Sequence, residues 1–312
     1  MGSFLAALGD VLGADITYAS AMRFTAFLMF IAVGEWVAER AGTINISVEA
    51  MALGGAFAAA VGQDATGSIW IGLAASAAAG LLVASIQANM SHRLPADQFV
   101  VGLTLNILVL GLVSFLASEL EPVNNAASAV EIPVLAAIPL IGPALFGQPW
   151  TLYLLYPLVP LGWWLVYRTR WGLELRSIGE DPNAADVSGL HVNRRRRQAV
   201  YVAGITSGLG GGYLLLGQVG TFEDSMTGYR GFIAIAAVIF GGWTLKGTIG
   251  GCLLFGLAIS FKQNLPQQGY DAIPEEVLNA LPYLLALGAM AVFAARVRQP
   301  SALARPFIRG LK

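Results

Sequence analysis

Hydrophobic residues along this chain come in long blocks rather than in the alternating or 3.6-residue patterns of half-buried strands and surface helices. The blocks fall at residues 21–38, 46–62, 69–90, 99–117, 150–167, 199–217, 231–243, 249–263 and 278–295. A helix needs roughly 20 apolar residues to cross a hydrocarbon core about 30 Å thick, and most of the blocks reach or approach that length. The seventh and eighth are short, with only 244–248 between them, so they form either two spans or a broken, re-entrant pair. The expected fold is all-α: a polytopic transmembrane helical bundle of about nine spans (eight to ten). It occupies residues 21–296, between an N-terminal segment (1–20) and a cytoplasmic tail (297–312).

Composition supports lipid as part of the solvent. Hydrophobic residues make up 56% of the chain and charged residues 12%, about half the charged share of an ordinary soluble domain. Ala-Gly runs such as LGGAFAAAVG and GLAASAAAG, and the spaced Gly204, Gly208 and Gly212, allow helices to approach closely in lipid. The first residues, MGSFLAALGDVLGAD, lack a basic region, so no cleavable signal peptide is expected. The single cysteine, Cys252, excludes an internal disulfide framework. His92 and His191 stand apart in polar connections, so no metal site is expected.

Basic residues orient the bundle. With the C-terminus inside and nine spans alternating backward, every Lys and Arg except Arg23, Arg230 and Lys262 falls on the cytoplasmic side. The outer segments collect Glu119, Glu121, Glu131, Glu223, Asp224, Asp271, Glu275 and Glu276. The N-terminus then lies outside; one more span before residue 21 would bring both ends inside.

Two connections are long. The outer loop, 118–149, carries Pro122, Pro133, Pro139, Pro143 and Pro149 and cannot be one continuous helix; it lies on the surface or dips into the membrane, as a lid or a docking point. The cytoplasmic loop, 168–197, reads RTRWGLELRSIGEDPNAADVSGLHVNRRRR. Asp181 followed by Pro182 is a helix N-cap with proline at the first helical position. A short helix over 183–188 would stop at Gly189, and Arg194 to Arg197 would anchor the next span among anionic lipid head groups. A short rigid helix there suits a force-transmitting surface for a soluble partner; an ordered loop with a basic anchor is the alternative.

Polar residues within the apolar blocks mark candidate chemistry, because a buried carboxylate needs a partner or water. Glu35, with Glu39 and Arg40 beside it, suggests a structural ion pair. Asn45 and Glu49 share a helical face if the helix begins early enough; they could hold a sugar hydroxyl or clamp two helices. Asn106 lies mid-block and would line a path or bond a neighbouring carbonyl. Gln218, Phe222 and Glu223, at the outer end of the sixth block, could meet substrate, with Phe222 as a stacking face, or form an ordinary outer loop. There is no G-x-x-x-x-G-K-[ST], H-E-x-x-H, G-x-S-x-G or Cys/His cluster, so the chain is expected to hold no ATPase site and to be no enzyme. Nor is a nucleic-acid partner expected. Energy for pumping would come from a partner or an ion gradient.

The segment GEWVAERAGTINISVEAMALGGAF resembles the signature of ABC importer permeases of the branched-chain amino acid, simple sugar and nucleoside class, through Gly34, Glu35, Glu39, Arg40, Gly42, Asn45, Glu49 and Met51. The segments VVGLTLNILVLGL, GLELRSIGEDPNAADVSGL and GTFEDSMTGYRGFIAIAAVIFGGW resemble it in the same order. Ala50 departs from the glycine usual after the Glu. The chain looks most like the smaller nucleoside or simple-sugar permease subunit, in a bacterial cytoplasmic (inner) membrane. The resemblance implies a partner ABC ATPase that binds ATP and Mg, a second homologous permease subunit, and a periplasmic or lipoprotein substrate-binding protein, with no cofactor in this chain. It assigns Arg176, Gly179, Glu180, Pro182, Ala184, Ala185 and Gly189 to a cytoplasmic coupling helix. The competing expectations are a branched-chain amino acid importer and an ion-coupled secondary transporter with Glu35 or Glu49 carrying a proton.

Overall fold

The computed structural model describes residues 13–94, 96–133, 135–267 and 299–310, with the isolated positions 280, 284 and 288. Apart from those three positions, the ninth apolar block lies outside the described residues, as do residues 1–12. The chain runs α1 (Asp15–Arg40), α2 (Val48–Thr66), α3 (Ile69–His92), α4 (Gln98–Leu120), β1 (Ala129–Glu131), α5 (Ile141–Phe146) and β2 (Gly147–Pro149). A 3₁₀ turn (Trp150–Leu154) then leads into α6 (Leu155–Arg168), α7 (Arg170–Glu180), α8 (Pro182–Val187) and α9 (Val192–Tyr213). A π-helical turn (Leu214–Val219), α10 (Arg230–Phe240) and α11 (Leu245–Gln267) follow. The β1–β2 pair is antiparallel, with Ala129 opposite Pro149.

Among the described residues, five helices are long and apolar enough to cross a membrane: Asp15–Arg40, Ile69–His92, Gln98–Leu120, Val192–Val219 and Leu245–Asn264. The eleven residues of α10 extend only about 16 Å at 1.5 Å per residue, short of a bilayer core. Gly241 turns the chain from α10 into α11 so tightly that a Cβ there would strike the backbone of Gly247 and Thr248. The seventh and eighth blocks are therefore two separate helices of unequal length.

The bundle is apolar outside as well as inside. On α4, Val100, Leu103, Ile107, Leu112 and Phe115 are each more than half exposed, a face suited to lipid or another apolar surface. α1 is the opposite case: Phe27, Phe30, Ile31 and Trp36 are sealed within the core. It packs on α9 and α11, while α9 also packs on α2 and α3. Close approach is possible because α9 offers glycine on several faces. Gly204, Gly208 and Gly212 lie against Gly80 and Ser76 of α3, and Gly211 against the Ala52 carbonyl of α2.

The 118–149 connection folds as β1, α5 and β2 against the start of α1. Buried Gln148 fixes it there, accepting from Arg23 Nε (2.9 Å) and donating to the carbonyls of Ala19 (3.3 Å) and Pro143 (2.9 Å). The 168–197 connection contains more helix than its sequence suggests. The expected short helix is present as α8, and α7 precedes it, its Leu175 and Ile178 buried. α9 starts at Val192, so Arg194 to Arg197 belong to its first turns.

The glycine contacts predict a contrast. Gly211→Ala places a Cβ into the Ala52 carbonyl and should cost about 1–3 kcal/mol as overpacking does, lowering the unfolding temperature in detergent. Gly111→Ala meets nothing within 4 Å and, gaining up to about 1 kcal/mol of helix propensity, should leave it unchanged or higher.

Candidate functional site

Two stretches of non-helical backbone enter the bundle, and the candidate polar residues gather where they meet. The first is the α1–α2 connection, 41–47. Apolar surroundings hold no water to satisfy backbone groups, so side chains must do it. Ile44 N–H donates to Gln98 Oε1 (3.0 Å) and Asn45 N–H to Glu35 Oε1 (2.9 Å). Asn106 Nδ2 donates to the Ile46 carbonyl (2.9 Å), and its Oδ1 accepts from Ala50 N–H (2.9 Å). Asn106 lies about 12 Å along α4 from Gln98 at 1.5 Å per residue, so this contact is deep within the helix. A Cβ on Gly102, one turn earlier, would overlap Ile46; glycine admits the connection to the α4 surface.

The second stretch is 220–229, between the π-helical turn and α10. It ends against Glu49, whose carboxylate accepts from Tyr229 N–H (2.8 Å) and Gly231 N–H (2.7 Å). The start of α10 thus receives its anion from another helix, where free N–H groups and the helix dipole favour negative charge. Glu49, Ala50 and Asn106 line a cavity of about 100 Å³ with Leu53, Thr227 and Tyr229. That is well below the roughly 300–1,000 Å³ of small-molecule sites.

The sequence-derived candidates separate accordingly. Asn45 is buried, its amide oxygen accepting from Ser47 Oγ (2.8 Å) and its Nδ2 directed at Met51 Sδ (3.4 Å). It precedes α2, which begins at Val48, so Asn45 and Glu49 do not share a helical face. Glu49 and Asn106 do come together at the small cavity. Phe222 packs edge-on against Phe57, with ring centroids 5.5 Å apart, and lines a separate cavity of about 420 Å³ with Glu121, Pro122 and Asp224. Glu223 is exposed. Gln218 lies on the π-helical turn, its Oε1 buried without a partner.

The ion pair suggested for Glu35, Glu39 and Arg40 is replaced by hydrogen bonds. Glu35 holds Asn45, and Glu39 accepts from the Trp243 indole. Trp36 Nε1 donates to the Trp243 carbonyl (2.9 Å), so α1 grips the α10–α11 turn twice. Gln98 escaped the sequence analysis because it borders a polar connection. Its position immediately before the fourth block was the available signal.

At the arginine-rich end, Asp181 Oδ1 accepts from the N–H groups of Asn183 and Ala184 (3.0 Å each). Gly189 takes φ +87° beyond the end of α8. Arg176 stacks over Tyr167 at 5.1 Å, Gly179 lies against the Arg40 carbonyl, and Glu180 accepts from Ser301 Oγ (3.2 Å). Ala185 is buried with Ile178 and Val192. Pro182 occupies the first turn of α8, and Ala184 is exposed.

Several apolar helices long enough to cross a membrane, with irregular segments held by side chains between them, are the architecture of a multi-pass membrane protein. The chain belongs to the family described as branched-chain amino acid transport system / permease component, which matches residues 17–293; its members are transport subunits, not enzymes. The chain is 32% identical over 312 residues to the guanosine ABC transporter permease protein NupQ of Bacillus subtilis, covering 95% of this chain and 97% of that one. It is 32% identical over 303 residues to the nucleoside ABC transporter permease protein NupC of Lactococcus lactis, covering 92% and 95%. It is also 30% identical over 309 residues to a putative glucose ABC transporter permease protein of Haloferax volcanii, covering 90% and 94%.

Glu49 and Asn106 should be needed for stability. Asn106→Leu strands a buried donor and acceptor, and Glu49→Gln turns an amide NH₂ toward an N–H. Each should cost about 1–3 kcal/mol, read as a lower unfolding temperature of the purified protein. A Glu49→Gln protein of unchanged stability that has lost uptake would instead assign Glu49 to the transported solute.

Proposed function

We propose that this chain is one membrane-spanning permease subunit of an ATP-driven importer for nucleosides, with simple sugars as the second choice of substrate. The observation that carries the proposal is the likeness to nucleoside permeases over nearly the full length of both chains. The structure adds support through a rigid polar unit, α7–α8, at the arginine-rich end of an otherwise apolar bundle. The permease has about nine spans in a bacterial inner membrane and holds no ATPase site, so ATP and Mg are bound by a partner ATPase. A second homologous permease subunit and an extracytoplasmic binding protein complete the importer.

The solute path is proposed to pass the meeting point of 41–47 and 220–229. Transporters place irregular backbone and half-helix N-termini at such sites, and Glu49, Asn106 and Tyr229 are assembled there. The small cavity is a reason for the second subunit: its facing surface would enlarge a space too tight for a nucleoside. Asn45 is given the role of holding the connection, whereas Gln218, Phe222 and Glu223 are placed at the outer mouth. Proton carriage by Glu35 or Glu49 is disfavoured because both carboxylates hold backbone N–H groups.

Coupling is assigned to α8 and its supports. Asp181 and Pro182 start α8, Gly189 ends it, and Arg176, Gly179, Glu180 and Ala185 fix it to the bundle. Ala184 and Val187 (89% exposed) face away, as a contact for the ATPase. Val187 was not singled out from sequence; its place one turn beyond Ala184 was the signal.

A cysteine at Ala184 should cross-link to the ATPase in the assembled importer. Gly179→Val, which drives a side chain into the Arg40 carbonyl, should lower ATP-dependent guanosine uptake at least tenfold, about 1.4 kcal/mol of coupling. Uptake by this chain alone in proteoliposomes, abolished by collapsing an ion gradient, would refute the proposal.

A further inference from the structure

We infer that the C-terminal tail, residues 299–310, and α7–α8 form one rigid lever, and that Arg196 is the positioning residue fastening it to the end of α1. The inference rests on the coupling role proposed for α8, but its geometric basis is independent of that role.

Arg196 is completely buried. A guanidinium survives such burial only when acceptors meet its donors. Its Nε donates to the Ala41 carbonyl (3.2 Å), Nη1 to that of Arg305 (2.7 Å) and Nη2 to that of Ala302 (3.4 Å). One planar fork therefore joins α9, the end of α1 and the tail. Ala41 lies at the C-terminus of α1, where unpaired carbonyls and the helix dipole favour a cation. A lysine could not do the same, since its ammonium is a point charge without the fixed fork.

The tail is also tied by its main chain. Ala302 N–H donates to the Gly179 carbonyl at the end of α7 (2.9 Å), and Ala304 N–H donates to the Gly42 carbonyl (3.2 Å). Phe307 packs on the small apolar cluster that buries Ala185 of α8, while Asn193 Nδ2 donates to its carbonyl (3.2 Å). These contacts attach the tail to both the coupling helices and the 41–42 turn. From Gly42 the chain continues directly to Asn45, held by Glu35. A displacement of α8 thus has a packed route to the polar meeting point inside the bundle, and the tail forms part of that route.

The test uses the reconstituted importer with its ATPase and binding protein, and guanosine as the transported probe. The buried Cys252 is the sole native cysteine of this chain, so the engineered thiols are labelled in the purified permease before it is assembled with its partners. In D186C/R309C, a short cleavable bifunctional maleimide would bridge α8 to the tail in place of the Asp186–Arg309 ion pair. That exposed pair is itself worth little, so uptake should stay within about twofold before and after bridging. Uptake that stops on bridging and returns on cleavage would show that the tail separates from α8 during the cycle, and would overturn the inference.

Arg196→Lys supplies the second measurement. In complexes that still contain the ATPase, ATP hydrolysed per guanosine imported should rise several-fold, because α8 moves without carrying the α1 end with it. An unchanged ratio would also overturn the inference. If the Ala184 cysteine failed to cross-link to the ATPase, the coupling proposal would fall, whereas the bridging result would still decide whether tail and α8 move together.

Discussion

Backbone polar groups cannot be left unpaired in hydrocarbon, and this constraint shapes the centre of the molecule. Helices meet it internally. The 41–47 connection and the approach to α10 do not, so Glu35, Gln98, Asn106 and Glu49 lend side-chain atoms to them. The polar residues scattered through the apolar blocks are largely the means by which non-helical chain is kept inside a membrane bundle. Irregular backbone is also the feature that lets a transporter expose polar groups to a passing solute. The same side chains therefore stand at the site of stability and at the proposed path.

Packing makes that arrangement possible. Lipid tails are as apolar as leucine, so helices associate through close contact rather than through exclusion from water. Glycines on α9 let α1, α2 and α3 approach it together, and Gly102 admits Ile46 to the α4 surface. The large apolar residues of α4 are directed outward, whereas those of α1 are sealed inside. A sealed interior and an apolar exterior leave few places where movement is cheap. The regular helical pattern is broken at the short α10, at its tight turn into α11, gripped by Trp36 and Glu39, and at the π-helical turn.

At the arginine-rich end the chemistry changes. α7 and α8 carry charged and polar residues around a small apolar cluster, and buried Arg196 holds them to the bundle through neutral carbonyls. An arginine satisfied in this way is a geometric constraint as much as a charge. It makes the polar unit an extension of the bundle rather than a tethered appendage, which is the mechanical property a coupling element requires.

The apolar blocks located every membrane-length helix among the described residues, because length and hydropathy are one-dimensional properties. Asp181-Pro182 and Gly189 were equally legible, since caps act within a few residues. α7 was missed although Trp171, Leu175 and Ile178 fall at the i, i+4, i+7 spacing of an amphipathic helix; its two glycines and several charges read as a polar connection, and what buries Leu175 and Ile178 becomes evident only against the rest of the fold. Asn45, Glu49 and Asn106 were recognisable as buried polar residues, but their partners were not. A carboxylate does not reveal in sequence that it will cap a helix some 180 positions away, nor Arg196 that it will hold the tail to α1. Sequence determined which segments are apolar enough for lipid, the class of protein and where the polar groups fall. Only tertiary structure decided what those groups satisfy, because hydrogen bonding depends on which backbone atoms the packing of distant helices leaves unpaired.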